Sequence, residues 1–358
     1  MSKSNQSFEY FASANTYNGF KSYFDSVYDS KKFDRIIVLN GGPGTGKSTL
    51  LKRLEDFSLS HELHTEIFRC SSDIKSLDGI IIQNSTARVA ALDGTAPHLR
   101  GADIPGVVDE MFDIAAFFNT SHLKSKREQI IDLNKKKANS YSIGYNNLMF
   151  SSVFKTNIMA ELYNQFDFKK CFKEINNLIN NLIDQKNSES HLLPNPEEKR
   201  LISSFSKDGE IHLNTPSRFG LGTVRIDGRY GEELIFIKCL SEKLRTENYK
   251  YIEFPFALDP SFSNCIICEA LNLSVYTSGS AELVINANDF LKMPELSEDF
   301  NFQNREAKQF KDRAKNAFSD AAKYHFELED IYTPAINFDS FNKATELIFE
   351  KLGNTFNI

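Results

Sequence analysis

The chain has 358 residues, long for one domain and comfortable for two of about 150 to 200 each, and its 41% hydrophobic content is enough for two cores. A net charge of −6 and a pI near 5.8 speak against a constitutive, nonspecific polyanion binder and make nucleic acid an unfavoured partner, with room only for a local basic patch. Met1 to Ser7 is polar and no apolar run approaches the ~20 residues of a membrane helix, so the expectation is a cytoplasmic protein with no membrane partner.

In chain order, Phe20, Tyr23, Phe24 and Val27 recur at helical spacing and predict a short helix around Gly19 to Tyr28 with its aromatics in the core. Arg35-Ile36-Ile37-Val38-Leu39 then reads as a short buried strand. It runs into Gly41-Gly42-Pro43-Gly44-Thr45-Gly46-Lys47-Ser48-Thr49, which fits the pattern G-x-x-x-x-G-K-[ST], and Leu50, Leu51 and Leu54 follow at helical spacing. Strand, glycine-rich loop and helix are the context this motif requires. Glycines let the amides between Gly42 and Ser48 turn inward around phosphate oxygens without a Cβ in the way, and the helix adds its positive N-terminal end. In such a loop Lys47 reaches the β- and γ-phosphates, Ser48 ligates Mg²⁺ and Thr49 contacts the α-phosphate.

His64 to Cys70 reads as a second strand ending in the polar cluster Ser71-Ser72-Asp73, the place where open α/β sheets bind ligands. Leu77 to Ile82 is another apolar run. Ala87-Arg88-Val89-Ala90-Ala91-Leu92-Asp93 is a buried strand ending in an acid, the form taken by the second half of a phosphate-loop site, so Asp93 is the expected Mg²⁺ acid beside Ser48. Many ATPases of this kind place a glutamate directly after that acid; here the position is Gly94. Either hydrolysis is slow, or another group orients the water, or the acceptor is not water. His98 and Arg100 in the turn that follows are candidates for γ-phosphate or substrate contact.

From Ser121 to about Asp184 the pattern is helical, with an apolar stripe through Phe168, Cys171, Phe172, Ile175, Leu178, Ile179 and Leu182. The basic residues Lys124, Lys126, Arg127 and Lys135-Lys136-Lys137 read as a solvated helix face. Residues 186 to 198 are polar and proline-bearing and read as a linker between domains. Five scattered cysteines make no disulfide framework, and Cys265-Ile266-Ile267-Cys268 reads as a buried strand and not as a zinc or redox pair.

Sliding the second half over the first by 186 positions places Val224 on Val38, Gly228 on Gly42, Lys238 on Lys52, Leu240 on Leu54, Phe254 on Phe68, Asp259 on Asp73, Ile266-Ile267 on Ile80-Ile81 and Val275 on Val89. At that offset Lys47 becomes Glu233, Ser48 becomes Leu234 and Asp93 becomes Gly279, and a carboxylate at the lysine position repels phosphate. The expected fold is therefore α/β with two tandem P-loop NTPase-type domains, each a mainly parallel sheet flanked by helices and followed by a helical segment. Residues 1–190 would carry the intact loop and residues 200–358 a degenerate copy, with Arg218, Arg225 and Arg229 near the degenerate loop.

The first half resembles a family of bacterial P-loop proteins, mostly from Firmicutes, described only as ATPases or nucleotide-kinase-like proteins. The resemblance rests on Phe11 to Thr16, Gly41 to Thr49, Cys70 to Asp73 with Ser76 to Gly79, and Leu92 to His98 with Pro105-Gly106. It covers residues 8 to 118 well and implies tandem P-loop folds and ATP binding, with the partner or substrate left open; Glu233 and Leu234 depart from the usable second loop expected of such proteins. Three functions follow: a Mg²⁺-ATP-dependent ATPase, a small-molecule or nucleotide kinase, or an ATP-switched binding module without turnover. In the kinase reading Asp73 or Asp78 is the base for an acceptor hydroxyl, with His98 and Arg100 on acceptor or γ-phosphate.

Overall fold

A computed structural model describes residues 7–97, 100–183, 193–292 and 297–358. Its first half runs β1 (Phe8–Phe11), β2 (Ser13–Thr16), β3 (Gly19–Ser22), α1 (Phe24–Val27), β4 (Arg35–Asn40), α2 (Lys47–Ser60), β5 (His64–Arg69), β6 (Leu77–Gln83), β7 (Arg88–Asp93), β8 (Asp109–Asp113), α3 (Thr120–Ser125), α4 (Arg127–Gln165) and α5 (Phe168–Ile183). The second half runs β9 (Ser203–Ser206), β10 (Gly209–His212), β11 (Gly222–Asp227), α6 (Glu232–Thr246), β12 (Ile252–Pro255), β13 (Ser263–Cys268), β14 (Leu273–Tyr276), β15 (Leu283–Asn286), α7 (Glu298–Tyr332) and α8 (Phe338–Phe356).

The chain forms two compact units, the first from Met1–Ser13, Ser22–Ile143 and Asn316–Ile358 and the second from Ala14–Lys21 and Gly144–Lys315. Unit 1 holds a sheet of order β1-β5-β6-β7-β4-β8, and unit 2 a sheet of order β12-β13-β14-β11-β15. Ile36 to Leu39 are all buried because β4 lies between β7 and β8, covered on both faces. Both sheets are mixed, each with one strand running against the others. β4 pairs in parallel with β7 and β8, but β6 is antiparallel to both neighbours. The connections on either side of β6 are short, and a short connection only permits an antiparallel return. Asn84 ties one of them, its Oδ1 accepting from the Thr86 and Ala87 amides at 2.9 Å.

The five strands of the unit 2 sheet repeat the pairing of β5, β6, β7, β4 and β8. β11 is parallel to β14 and β15, and β13 is antiparallel to β12 and β14. Even the irregularity is shared: the register of β5 on β6 shifts after Phe68, and that of β12 on β13 shifts after Phe254. Asp73 Oδ1 accepts from the Lys75 amide, and Asp259 Oδ1 from the Ser261 amide, closing the same turn in each unit.

One local expectation changes. Gly19 to Tyr28 is not one helix but the second strand of a hairpin followed by the single turn α1. Thr16 Oγ1 donates to the Gly19 carbonyl and accepts from the Asn18 amide, and Gly19 takes φ +97°, which favours the turn over helix entry. The aromatics do reach the core, with Tyr23, Phe24 and Val27 buried. Cys265 and Cys268 are buried free thiols in β13, and burial pushes both up.

The units are not the sequential blocks 1–190 and 200–358. The tail of each half completes the core of the other. Ile336, Phe341, Ile348, Leu352 and Phe356 cluster with Leu50, Leu51 and Leu54 of α2, while Ile158, Leu162, Cys171, Ile175 and Ile179 cluster with Ile235, Phe236 and Leu240 of α6. An apolar stripe announces that a helix has a face to bury but not which sheet will bury it. The expected linker falls mostly on residues outside those described. Among the described residues no helix is long and apolar enough to cross a membrane.

Candidate functional site

In unit 1 the loop between β4 and α2 has the backbone its glycines allow: Gly44 at φ +65° and Gly46, the N-cap of α2, at φ +88°. Lys47 is the first helical residue and is buried, and its Nζ donates to the carbonyls of Gly41 at 2.7 Å and Gly42 at 2.6 Å. The same Nζ lies 3.6 Å from Asp93 Oδ2. Thr45 Oγ1 closes the loop on the Gly42 carbonyl at 2.8 Å. Ser48 Oγ accepts from the Leu77 amide at 3.0 Å, which leaves its proton and a second lone pair. Pro43 is partly exposed and Thr49 exposed.

Asp93 ends β7, whose neighbour in the sheet is β4, so sheet pairing alone brings it to Lys47. Burial pushes its carboxyl above the ordinary carboxylate range; the Lys47 ammonium and bonds from Thr95 oppose that, and the charge of Asp78 adds to it. Asp78 is itself buried at the start of β6, so Lys47, Asp93 and Asp78 converge at one end of the sheet. Gly94 is required after Asp93: a Cβ there would meet Val38 Cγ1 at 2.4 Å and the Arg100 carbonyl at 3.0 Å. A glutamate at that position has no room.

The other nominated residues do not join this cluster. Arg100 is buried and donates to Ser30 Oγ at 2.8 Å, and it pairs with Asp103 at 3.1 Å and Asp109 at 3.6 Å. Asp109 is in register with Ile36, near the beginning of β4, about 13 Å of strand before the loop. The guanidinium is thus spent on the opposite end of the strand. Asp73 holds its Asx turn, a job that Asp259 does equally in unit 2. His98 lies outside the described residues.

Several residues at the loop were not nominated from sequence, because they come from α4 and from the end of α7. A Cβ on Gly42 would strike the Tyr332 ring at 2.9 Å, and one on Gly44 would meet Thr333 Oγ1 at 2.6 Å and Glu329 Cβ at 2.9 Å. Thr333 Oγ1 donates to the Gly44 carbonyl at 3.1 Å. A hydrogen bond from His325, with help from the Gly44 amide and Lys47, holds the Glu329 carboxyl below the usual range. From α4, Tyr141 donates to Ser72 Oγ at 3.1 Å. Only the glycines themselves hinted at such close approach.

Unit 2 shows what the same scaffold does without these groups. Sheet pairing matches Asn40 to Asp227, since each ends its strand opposite the cap of a following 3₁₀ turn, Asp113 or Asn286. The helix caps match Gly46 to Gly231. Five residues, Gly41 to Thr45, lie between strand and cap in unit 1, but only three, Gly228 to Tyr230, in unit 2. The uniform offset therefore slips at the loop. From the other end of the helix, the caps His61 and Glu247 and the buried positions Leu50, Leu51, Leu54 and Ser58 against Phe236, Ile237, Leu240 and Leu244 keep the offset of 186. Glu233 thus stands at the position of Lys47 and Leu234 at that of Ser48, with Glu232 one added residue at the helix start. Sheet pairing puts Thr277, one beyond Tyr276, at the position of Asp93 in place of Gly279.

Glu232 is fully buried, and its Oε2 accepts from three consecutive amides, Arg229 at 3.1 Å, Tyr230 at 2.7 Å and Gly231 at 3.0 Å. A ring of loop amides facing one anion is the geometry of an anion nest, and here the anion is the protein's own carboxylate. Arg225 is engaged locally, at 2.6 Å from Asp227 Oδ1 and 2.7 Å from the Gly279 carbonyl. Beside the loop is a cleft of about 210 Å³ lined by Glu210, His212, Asp227, Glu233, Phe256 and Thr277, among others.

Mg²⁺ fits the donor chemistry of unit 1. Asp93 and Ser48 are hard oxygen donors, and Mg²⁺ is commonly held by one or two protein oxygens, with waters and substrate phosphates completing its shell. Among the described residues no group of three or more His, Cys, Asp or Glu side chains forms a metal site of the chain's own. Comparison with protein-family models, curated proteins and solved structures finds no match to this chain.

Proposed function

We propose that unit 1 is a Mg²⁺-ATP-binding P-loop NTPase that hydrolyses ATP to drive a conformational or regulatory change, and that the chain is a tandem pair of P-loop-type domains whose second member has lost its phosphate site. The single observation that carries this reading is the loop itself. Gly44 and Gly46 take positive φ, α2 starts at Lys47, and Lys47 Nζ is within 3.6 Å of the acid that ends the neighbouring strand. A glycine-rich turn with no ligand needs none of these together. The loop amides and the start of α2 would hold the phosphates, with Lys47 moving from the carbonyls of Gly41 and Gly42 to the β- and γ-oxygens. Ser48 and Asp93 would hold Mg²⁺, the latter through water; the ion's role is to neutralise developing charge on the terminal phosphate.

Gly94 favours a second reading, a kinase for a small molecule or nucleotide, because the place of a water-activating glutamate is sterically closed. Asp78, near Asp93, is then the candidate base, and Asp73 and Arg100 are engaged elsewhere.

The test is turnover of Mg²⁺-ATP by the full chain, alone and with a panel of acceptors, alongside calorimetric titration. Phosphate released without acceptor supports the ATPase, and a phosphorylated acceptor supports the kinase. Lys47→Ala is expected to weaken ATP by about tenfold to a hundredfold, the worth of a charge-assisted contact, with one nucleotide bound per wild-type chain. Unchanged affinity in Lys47→Ala overturns the reading.

A further inference from the structure

Leu133, Lys137 and Tyr141 fall one turn apart on a single face of α4. Leu133 is buried against Leu328 and Ile331 in a cluster that takes in Tyr332, whose ring lies against Gly42. At the other end Tyr141 reaches Ser72 and senses the charge of Asp78. Lys137 sits between these anchors and is partly buried. The run of three lysines thereby divides: Lys135 and Lys136 are exposed, with Lys136 paired to Asp132 at 2.8 Å, while Lys137 turns inward.

Lys137 lies near enough to the Lys47 ammonium to feel its charge: burial and that ammonium both push it below the ordinary lysine value. Two ammonium groups converging in a partly dehydrated place repel unless an anion lies between them. The Tyr141 anchor turns this face of α4 toward the Asp78 and Asp93 end of the site, where the preceding reading puts the metal and the outermost phosphate.

We infer that Lys137 Nζ is a second phosphate-binding cation of the unit-1 loop and contacts the terminal phosphoryl group of a nucleoside triphosphate, so that it distinguishes a triphosphate from a diphosphate. The inference rests on the nucleotide reading of unit 1. It deepens that reading by making a residue outside the loop the group that senses the γ-phosphate.

The experiment is calorimetric titration of the full chain with Mg²⁺ and either ADP or a non-hydrolysable ATP analogue. Lys137→Ala is expected to weaken the triphosphate about tenfold, one charge-assisted hydrogen bond, and to leave ADP within about twofold. Lys137→Met, which keeps the apolar stem, should do the same, and Lys137→Arg should restore most of the difference. Lys47→Ala should weaken both ligands. A triphosphate-to-diphosphate ratio unchanged in Lys137→Ala and Lys137→Met, in protein whose wild type binds both, overturns this inference alone. Wild-type protein that binds neither overturns the nucleotide reading and this inference with it.

Discussion

The two loops sit on sheets paired in the same way, yet in unit 1 five residues bridge strand and helix and the first helical side chain is Lys47, while in unit 2 three residues bridge them and it is Glu232. The consequence reaches beyond one reversed charge. A loop of inward-facing amides is costly to leave without an acceptor. Unit 2 meets that cost from within, because Glu232 Oε2 takes three amides at once. Unit 1 instead begins its helix with a cation, turned on the loop carbonyls and 3.6 Å from Asp93 Oδ2. A site can thus be closed by shortening its loop until a neighbouring carboxylate reaches the nest.

The largest break in this comparison is Glu232→Ala. Three buried amides lose a charged acceptor, and a loss of about 3 kcal/mol is expected, or roughly 6 to 12 °C in the melting temperature of a unit this size. Because the nest survives, inorganic phosphate should restore part of that loss in the variant and have no such effect on wild-type unit 2. A variant as stable as wild type would mean that the carboxylate is not filling the loop.

Next in size is a matched pair of glycine substitutions. Gly44→Ala puts a Cβ at φ +65° and 2.6 Å from Thr333 Oγ1, with Glu329 Cα 3.0 Å away. A cost of about 2 kcal/mol and loss of nucleotide binding are expected. In Gly228→Ala the new methyl meets the Glu233 carboxylate and, at 2.9 Å, the Glu233 backbone nitrogen, but φ is not positive, so no left-handed strain is added. Its cost should be the smaller of the two. Chemical denaturation of both variants measures the asymmetry; equal costs would show that the loops are equally constrained.

The contrast also explains what could be read from sequence. The strand, loop and helix around Gly41 to Thr49, the strand ending in Asp93 and the repeated strands were legible because glycine turns and buried strands leave local residue patterns. Phe254 on Phe68 and Asp259 on Asp73 were placed correctly, since no length change intervenes within β5 and β6. The loop equivalences slipped by one or two positions because deletions leave no mark when few residues are identical. Gly279 was therefore given the place opposite Asp93 that belongs to Thr277. Lys137, Tyr332 and Thr333 were illegible for another reason: they are distant in the chain, and a helix pattern carries no address for the sheet it covers. Arg100 misled because a buried arginine held by Asp103 and Asp109 looks, in one dimension, like an arginine awaiting phosphate.

The smallest effect concerns Glu233, which stands in unit 2 where unit 1 has Lys47. Its Oε2 is buried without a hydrogen-bond partner among the described residues, close over Gly228. Burial pushes its carboxyl above the ordinary glutamate range; Lys155 opposes this, and Glu232 and Glu210 add to it. A group whose folded pKa exceeds its unfolded value gives the fold its greatest relative stability below the unfolded value, and that advantage is lost as pH rises through the folded value. Wild-type unit 2 should accordingly lose stability from the ordinary carboxylate pKa upward, and Glu233→Gln should not. The melting-temperature difference between variant and wild type is then near zero at pH 4 and grows to a gain of about 1 kcal/mol by pH 8. Glu210, held down to about 2 against the effect of its burial by His212 and Lys311, titrates below this window and is present in both proteins, so it cancels in the difference. A gain independent of pH would mean that Glu233 burdens the fold by its shape and not by its charge, and the role of shortening in unit 2 would then be confined to Glu232.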